Sequence, residues 1–309
     1  MQTIEETSEL LHKALFESKT KEQDIINIIL KNDSDRRQAI SKYYKGVFNP
    51  NGLSEDLSKK LSSNFKDAVT HLFTSPCEYD CFQIKRALKG FSTDEECVFE
   101  IICNRPFWRL QEIKQKYREM YEKDLEKELE KTISGHIGRN LVILLNLERR
   151  NNKRPDHAKC QKDADTLINV NKEEMWGSNE EIFKNIFAKN SPEELLLTLR
   201  YYFKKTRMNF VKACDSRMSS KMKVFFKELL YNVINPPELF AEKIRKSVKG
   251  LGTNTNLLER VLISRNEIDM HRIREYYKDR YKVDVQKDII GDTSGAYQEL
   301  LLKLAEKEP

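Results

Sequence analysis

The chain has 309 residues, 55 basic against 49 acidic for a formal charge of +6, with 34% charged residues but few Gly (10) and Pro (8). That length exceeds one ordinary core, and the balance favours helices over a β-sandwich or a disordered chain. The charge excess is a mild bias toward anionic partners, too small to demand nucleic acid, and no aromatic-interleaved RNA-binding strand or recognition helix is present.

In chain order, helix starts reveal a repeat. Thr20-Lys21-Glu22-Gln23, Thr93-Asp94-Glu95-Glu96, Ser178-Asn179-Glu180-Glu181 and Thr253-Asn254-Thr255-Asn256 each predict an N-cap at the hydroxyl. The first three add Glu or Gln at N3, the second half of a capping box. Behind them stand Ile25-Ile26-x-Ile28-Ile29, Val98-Phe99-x-Ile101-Ile102, Ile182-Phe183-x-x-Ile186-Phe187 and Leu257-Leu258-x-x-Val261-Leu262. These are short helices apolar around much of their circumference, which predicts burial between neighbours. Longer two-faced helices follow at 36–44, 107–121, 193–203 and 268–281. Within them Ile113, Tyr117, Tyr121 and Ile273, Tyr277, Tyr281 form stripes at i, i+4 and i+8, read as packing surfaces. A small-residue pair then precedes each apolar final helix: Ser62-Ser63, Ser134-Gly135, Ser219-Ser220 and Ser294-Gly295.

The hydroxyl starts at 20, 93, 178 and 253 are 73, 85 and 75 residues apart. Four units of five helices therefore fill the chain, each too small to bury its own apolar face alone. The long middle period contains the basic, polar stretch Leu147 to Pro155, read as a linker between two halves.

The stretch from Val248 to Gly295 carries the clearest chemistry. In Val248-Lys249-Gly250-Leu251-Gly252-Thr253 two glycines let the backbone turn carbonyl oxygens inward, because without a Cβ the chain visits positive φ at little cost. Such carbonyls are half a site for a hard cation, and the other half must be a carboxylate. Asp292, in Gly291-Asp292-Thr293-Ser294-Gly295, stands 40 residues after Gly252. The competing reading is a tight turn with Thr253 as N-cap and Asp292 capping the next helix.

With the repeat, Lys249-Gly-Leu-Gly-Thr, Gly291-Asp-Thr-Ser-Gly, Trp176-Gly177-Ser178 and Lys89-Gly-Phe-Ser-Thr-Asp-Glu-Glu on the page, the chain resembles the annexin superfamily from Glu5 to Glu308. Its divergence resembles the protozoan α-giardin branch. The resemblance implies an all-α, annexin-like array of four repeats of five helices forming a curved disc. The repeats would occupy 1–73, 74–147, 158–233 and 234–309, with a linker at 148–157. It also implies peripheral docking on anionic phospholipid through Ca²⁺. The ligands would be the carbonyls of Val248, Gly250 and Gly252 and a bidentate Asp292, leaving part of a shell of about 6 to 8 oxygens for lipid phosphate.

The other three units depart from that pattern. Counted back from the small-residue pairs, the position of Asp292 is Lys60 in the first unit, Thr132 in the second and Arg217 in the third. High calcium affinity there is not expected, since all three lack the carboxylate oxygens and the basic side chains of Lys60 and Arg217 repel the ion besides. Arg217 is expected beside Trp176-Gly177-Ser178 and Lys60 beside Glu17-Ser18-Lys19. Each head would either bond the loop carbonyls or reach out to lipid or polyanion phosphate.

No run approaches 18 apolar residues, and the first six residues lack a basic region, so neither a spanning helix nor a signal peptide is expected and the cytoplasm is the expected compartment. The six cysteines read as reduced thiols, and the spacing of His71, Cys77, Cys81, Cys97 and Cys103 matches no zinc pattern. No P-loop, H-E-x-x-H, G-x-S-x-G or dinucleotide fingerprint is present, so the expectation is a binding protein rather than an enzyme. The alternative function is a scaffold on cytoskeletal or flagellar proteins with a residual calcium site and calcium-independent polyanion binding.

Overall fold

The computed structural model describes residues 2–17, 19–90, 92–151, 154–170, 176–249 and 252–307, and the regular elements among them are helices. They run in four quintets. The first is α1 (Ile4–Phe16), α2 (Glu22–Lys31), α3 (Ser34–Val47), α4 (Leu53–Lys60) and α5 (Ser63–Phe73). The second is α6 (Pro76–Lys89), α7 (Glu95–Asn104), α8 (Phe107–Tyr121), α9 (Leu125–Thr132) and α10 (His136–Asn146). The third is α11 (His157–Asn169), α12 (Glu180–Ile182) continued by a π-helical stretch at Phe183–Ala188, α13 (Pro192–Thr206), α14 (Phe210–Arg217) and α15 (Ser220–Ile234). The fourth is α16 (Pro236–Val248), α17 (Thr255–Arg265), α18 (Met270–Tyr281), α19 (Val285–Asp292) and α20 (Gly295–Glu306).

The second helix of each quintet does not start where the hydroxyls suggested. Asp94, Asn179 and Asn254 cap α7, α12 and α17, each accepting an amide from three residues on, and α2 begins after Lys21 with no side-chain cap. In each case the cap is one residue past the Thr or Ser. The reason is a loop closure that fixes the register: the amides of Lys21, Asp94 and Asn254 bond carbonyls seven residues back, Ala14, Ala87 and Ser247, at 2.8–3.0 Å. Full capping boxes occur instead at Thr3 with Glu6 and Ser191 with Glu194.

The chain forms two compact units, Met1–Tyr79 with Pro237–Pro309, and Asp80–Pro236. The stretch 147–155, expected to join two halves, therefore lies within the second unit, where the Arg150 amide bonds Lys189 O at 2.9 Å and Arg149 Nη1 bonds Asn190 O at 3.1 Å. In the first unit the first and fourth quintets share one core, with α5 packed on α17 and α20 and α2 on α20. The buried Arg37 guanidinium meets Glu267 at 2.9 Å, and Glu267 also accepts the Ser34 amide (3.1 Å) and the Lys307 ammonium (2.9 Å). His71 Nδ1 lies 2.5 Å from Glu259.

In the second unit α7 packs on α15, and an aromatic cluster fills the space: Phe99 on Phe225 (5.3 Å between centroids), Phe183 on Phe225 (5.7 Å) and Phe187 on Phe226 (5.0 Å). The helix α10 approaches so closely that a Cβ on Gly138 would lie 2.0 Å from Ile133 O. All six cysteines are buried free thiols.

The tyrosine stripes pack, as expected, and do one thing more. Tyr44, Tyr117 and Tyr277 are buried and donate to Asp56 (2.8 Å), Glu128 and Asp288 (2.5 Å). Each of these carboxylates sits four residues before the end of the fourth helix of its quintet, which ties the third helix to the fourth.

Candidate functional site

The fourth helices end at Lys60, Thr132, Arg217 and Asp292, so the four side chains matched by counting occupy one structural position. Their surroundings differ.

In the fourth quintet α16 ends at Val248 and the chain returns to α17 through Gly252 at φ +89°, a conformation that strains any residue with a Cβ. Gly250 lies outside the described residues. The Thr253 hydroxyl donates to Asp292 O at 3.1 Å, joining the loop to the end of α19. Beyond Asp292 the backbone is held by Thr293 Oγ1 on Ile289 O (2.7 Å) and by Gln298 Nε2 on Ile290 O (3.1 Å) and Thr293 O (2.5 Å). The residue before α20 is Ser294, which makes no side-chain cap. Neither Thr253 nor Asp292 caps a helix here, so both parts of the competing reading are absent.

The Asp292 side chain is exposed and, among the described residues, takes part in no hydrogen bond or ion pair. The neighbouring cations are engaged elsewhere. Arg245 Nη1 (2.5 Å) and Lys249 Nζ (3.3 Å) both meet Asp288. Burial pushes the Asp288 carboxyl up, but the Tyr277 hydroxyl, Lys249 and Arg245 outweigh it and hold the group below its usual range. One acid is thus neutralised inside the helix pair while the acid at its tip is left uncommitted. Among the described residues no three His, Cys, Asp or Glu side chains cluster, so an ion at this position would rest on one carboxylate and backbone oxygens.

In the first quintet Lys60 Nζ lies 4.5 Å from the ring centroid of Phe16, the last residue of α1. In the third the Arg217 guanidinium lies 5.3 Å from the ring centroid of Trp176. Neither cation makes a hydrogen bond or ion pair among the described residues. Arg217 thus meets Trp176 of the loop named for it, whereas Lys60 meets Phe16, just before Glu17, and each contact is with a ring face rather than with loop carbonyls. Trp176 is itself buried, its indole N–H on Leu167 O at 2.9 Å and its ring 4.5 Å from Phe210. Phe16 is half-exposed and stacks on His12 at 4.7 Å. The acid nearest in sequence to Phe16 is Glu17, and it pairs with Lys21 at 2.5 Å, leaving Lys60 unshared. Sequence reasoning missed both rings. No regular spacing signals them: Phe16 ends α1, whereas Trp176 stands seven residues beyond Asn169, the end of α11.

Among the described residues no helix is long and apolar enough to cross a membrane.

Comparison with known proteins gives a consistent picture. The annexin family model matches residues 6–72, 79–144 and 239–304. Human annexin A7 is 31% identical over 96% of the chain, and bovine annexin A5 is 32% identical over 96% of the chain and 92% of its own length. The chain spans about 60% of the length of annexin A7. Among solved structures, annexin III superposes with a TM-score of 0.92 at 29% identity, covering 98% of this chain and 94% of the other. A calcium-bound annexin (Sm)1 gives 0.88 at 25% identity, covering 98% and 90%. The likeness to the giardins is weaker: alpha-14 giardin gives 0.80 at 17% identity over 98% of this chain and 99% of the other, which shows the fold alone.

Proposed function

The chain belongs to the annexin family, and on that premise we propose that it docks peripherally on anionic phospholipid membranes through Ca²⁺ held at the fourth quintet. Membership makes it a binding protein rather than an enzyme. The ligands in this reading are the carbonyls of Val248, Gly250 and Gly252 and the carboxylate of Asp292. The observation that carries it is the exposed, uncommitted Asp292 side chain, at a helix end whose backbone Thr253 ties to the glycine loop. The donor set fits a hard cation, which takes oxygen ligands and tolerates a mixed shell of carbonyls, carboxylate and outside oxygens. Bound there, Ca²⁺ supplies positive charge for lipid phosphate. The chain's own part is to hold the loop and α19 together and to keep Arg245 and Lys249 on Asp288, away from the ion.

Of the three corresponding positions, Lys60 and Arg217 carry a cation and Thr132 has no charge, which argues against calcium at each, so one ion per chain is the reading. A cytoplasmic protein recruited to membrane surfaces follows from it. The test is co-sedimentation with phosphatidylserine vesicles in Ca²⁺ and in chelator, for wild type and Asp292→Ala. Calcium should increase binding of the wild type and not of the variant. A calcium response that survives in Asp292→Ala would overturn the site, and no vesicle binding under either condition would leave the cytoskeletal scaffold reading in its place.

A further inference from the structure

We propose that Lys60 on Phe16 and Arg217 on Trp176 are two metal-independent sites for the phosphate of anionic lipid headgroups. This rests on the membrane-docking reading above and extends it to the quintets that lack the calcium carboxylate. Four observations carry it. Both cations end a fourth helix, the position Asp292 holds in the fourth quintet. Both are exposed and have no acidic partner among the described residues. Both are backed by an aromatic face, at 4.5 and 5.3 Å. Glu17, the acid nearest Phe16 in sequence, is already paired with Lys21 at 2.5 Å and does not neutralise Lys60.

The ring explains how such a site works. A cation over an aromatic face is held by the ring quadrupole without giving up its N–H donors. A guanidinium so placed is oriented in advance and keeps a planar fork free for two phosphate oxygens. The Lys60 ammonium keeps its donors in the same way, as a point charge. A carboxylate partner would have neutralised either group, whereas the ring fixes it and leaves its charge available. Phe16 adds a half-exposed apolar ring beside Lys60, suited to the boundary between headgroups and water. Where Asp292 awaits a cation to meet phosphate, the first and third quintets carry the cation themselves.

The experiment is vesicle binding in chelator by the full chain, with phosphatidylserine and phosphatidylcholine vesicles at two salt concentrations. Wild type should bind the anionic vesicles without calcium, more weakly as salt rises, since such contacts are screened within a Debye length. Lys60→Gln and Arg217→Gln should each lower that binding roughly fivefold, and the double variant should lower it by the product. Lys60→Arg and Arg217→Lys should retain most of it. Unchanged melting temperatures of the Gln variants exclude misfolding; if they melt early, loss of binding in Lys60→Glu with Arg217→Glu at a temperature where both are folded decides the matter. Equal binding by wild type and the double variant overturns the proposal. So does displacement from vesicles by inorganic phosphate at millimolar concentration, which would make the site one for a free anion. Capture by heparin without vesicle binding overturns it in favour of a soluble polyanion. Binding in calcium but none in chelator overturns this inference alone; binding in neither overturns the membrane reading beneath it.

Discussion

The hydroxyl of Thr253 donates to the backbone carbonyl of Asp292 at 3.1 Å. A Thr and an Asp next to helix ends ordinarily serve as caps, yet Asn254 caps α17 and Ser294 precedes α20 without a side-chain bond. Thr253 thereby fastens the loop to the end of α19, and the Asp292 carboxylate stays uncommitted.

Asp292→Ala is expected to abolish stabilisation by Ca²⁺. A ligand held by the native state alone contributes RT ln(1 + [L]/Kd), about 2.7 kcal/mol at a hundredfold excess over Kd. Thermal melts with and without calcium measure this, with circular dichroism as the check on helix content. A variant that keeps the full wild-type shift removes Asp292 from the ligand set. Thr253→Val should keep the shift but require roughly fivefold more calcium, the loss of one hydrogen bond of about 1 kcal/mol.

Calorimetric titration should count one calcium per chain. Multivalent engagement commonly raises affinity by about 10² to 10⁴, and a single bridge forfeits that gain. Calcium-dependent vesicle binding should therefore be shallow and need high calcium. Two or more ions per chain, or steep cooperativity at micromolar calcium, would refute the reading of a single calcium site in the fourth quintet.

Glu128 gives the second unit an acid-sensitive tie. Burial pushes its carboxyl up, but Lys123, the Tyr117 hydroxyl and Lys85 together hold it down to about 2. A depressed carboxylate stabilises the fold fully above its unfolded value of about 4.3 and loses that contribution as pH falls through the folded one. Urea denaturation should show Glu128→Gln less stable than wild type at neutral pH, with the gap closing between about pH 4.3 and about pH 2. A gap that persists to pH 2 would show that ionisation of Glu128 does not stabilise the unit.

Glu267→Ala should destabilise the first unit by about 3 kcal/mol, because it leaves the Arg37 guanidinium, which is 4% exposed, with the Leu72 and Asn32 carbonyls but no carboxylate, and takes the partner from Lys307 and the Ser34 amide. Chemical denaturation measures it, and a change under about 0.5 kcal/mol, typical of surface sites, would refute the claim that this carboxylate holds the two quintets together.

Gly138→Ala should also be costly, by about 1–3 kcal/mol, although Ala is the better helix former. The added Cβ would meet Ile133 O, a backbone atom that cannot swing aside, at 2.0 Å. Increased stability would mean that α10 relaxes freely.

Local pattern predicted much of this architecture, because burial imposes it. The stretch 107–121 is helical over its whole expected span, and every apolar residue named in the second helices of the first, second and fourth quintets is buried. The starts were displaced by one residue: in the second and fourth quintets a hydroxyl and an Asx stand side by side and a backbone closure seven residues long chooses the Asx, and in the first the same closure falls on Lys21. The shared position of Lys60, Thr132, Arg217 and Asp292 followed from counting, since helix ends repeat with the unit. Their partners did not. Phe16 with Lys60, and Trp176 with Arg217, meet across an intervening helix pair, and no period in the chain relates a ring to a cation. Nor does anything local in α5 announce α17 and α20 as its neighbours; that pairing is a property of the closed assembly.

The order in which the two cores are completed during synthesis follows from the discontinuity of the first unit. Asp80–Pro236 is contiguous and can complete its core as soon as it leaves the ribosome, whereas the core of the first unit waits for Pro237–Pro309. Until α17 and α20 emerge, α2 and α5 are covered only by helices of their own quintet, and the long closure costs further chain entropy, though each doubling of the loop adds only about 0.6 kcal/mol. The earliest-made helices are thus the last to be buried. A nascent chain stalled before residue 237 should be a target for chaperones through its oldest segment rather than its newest.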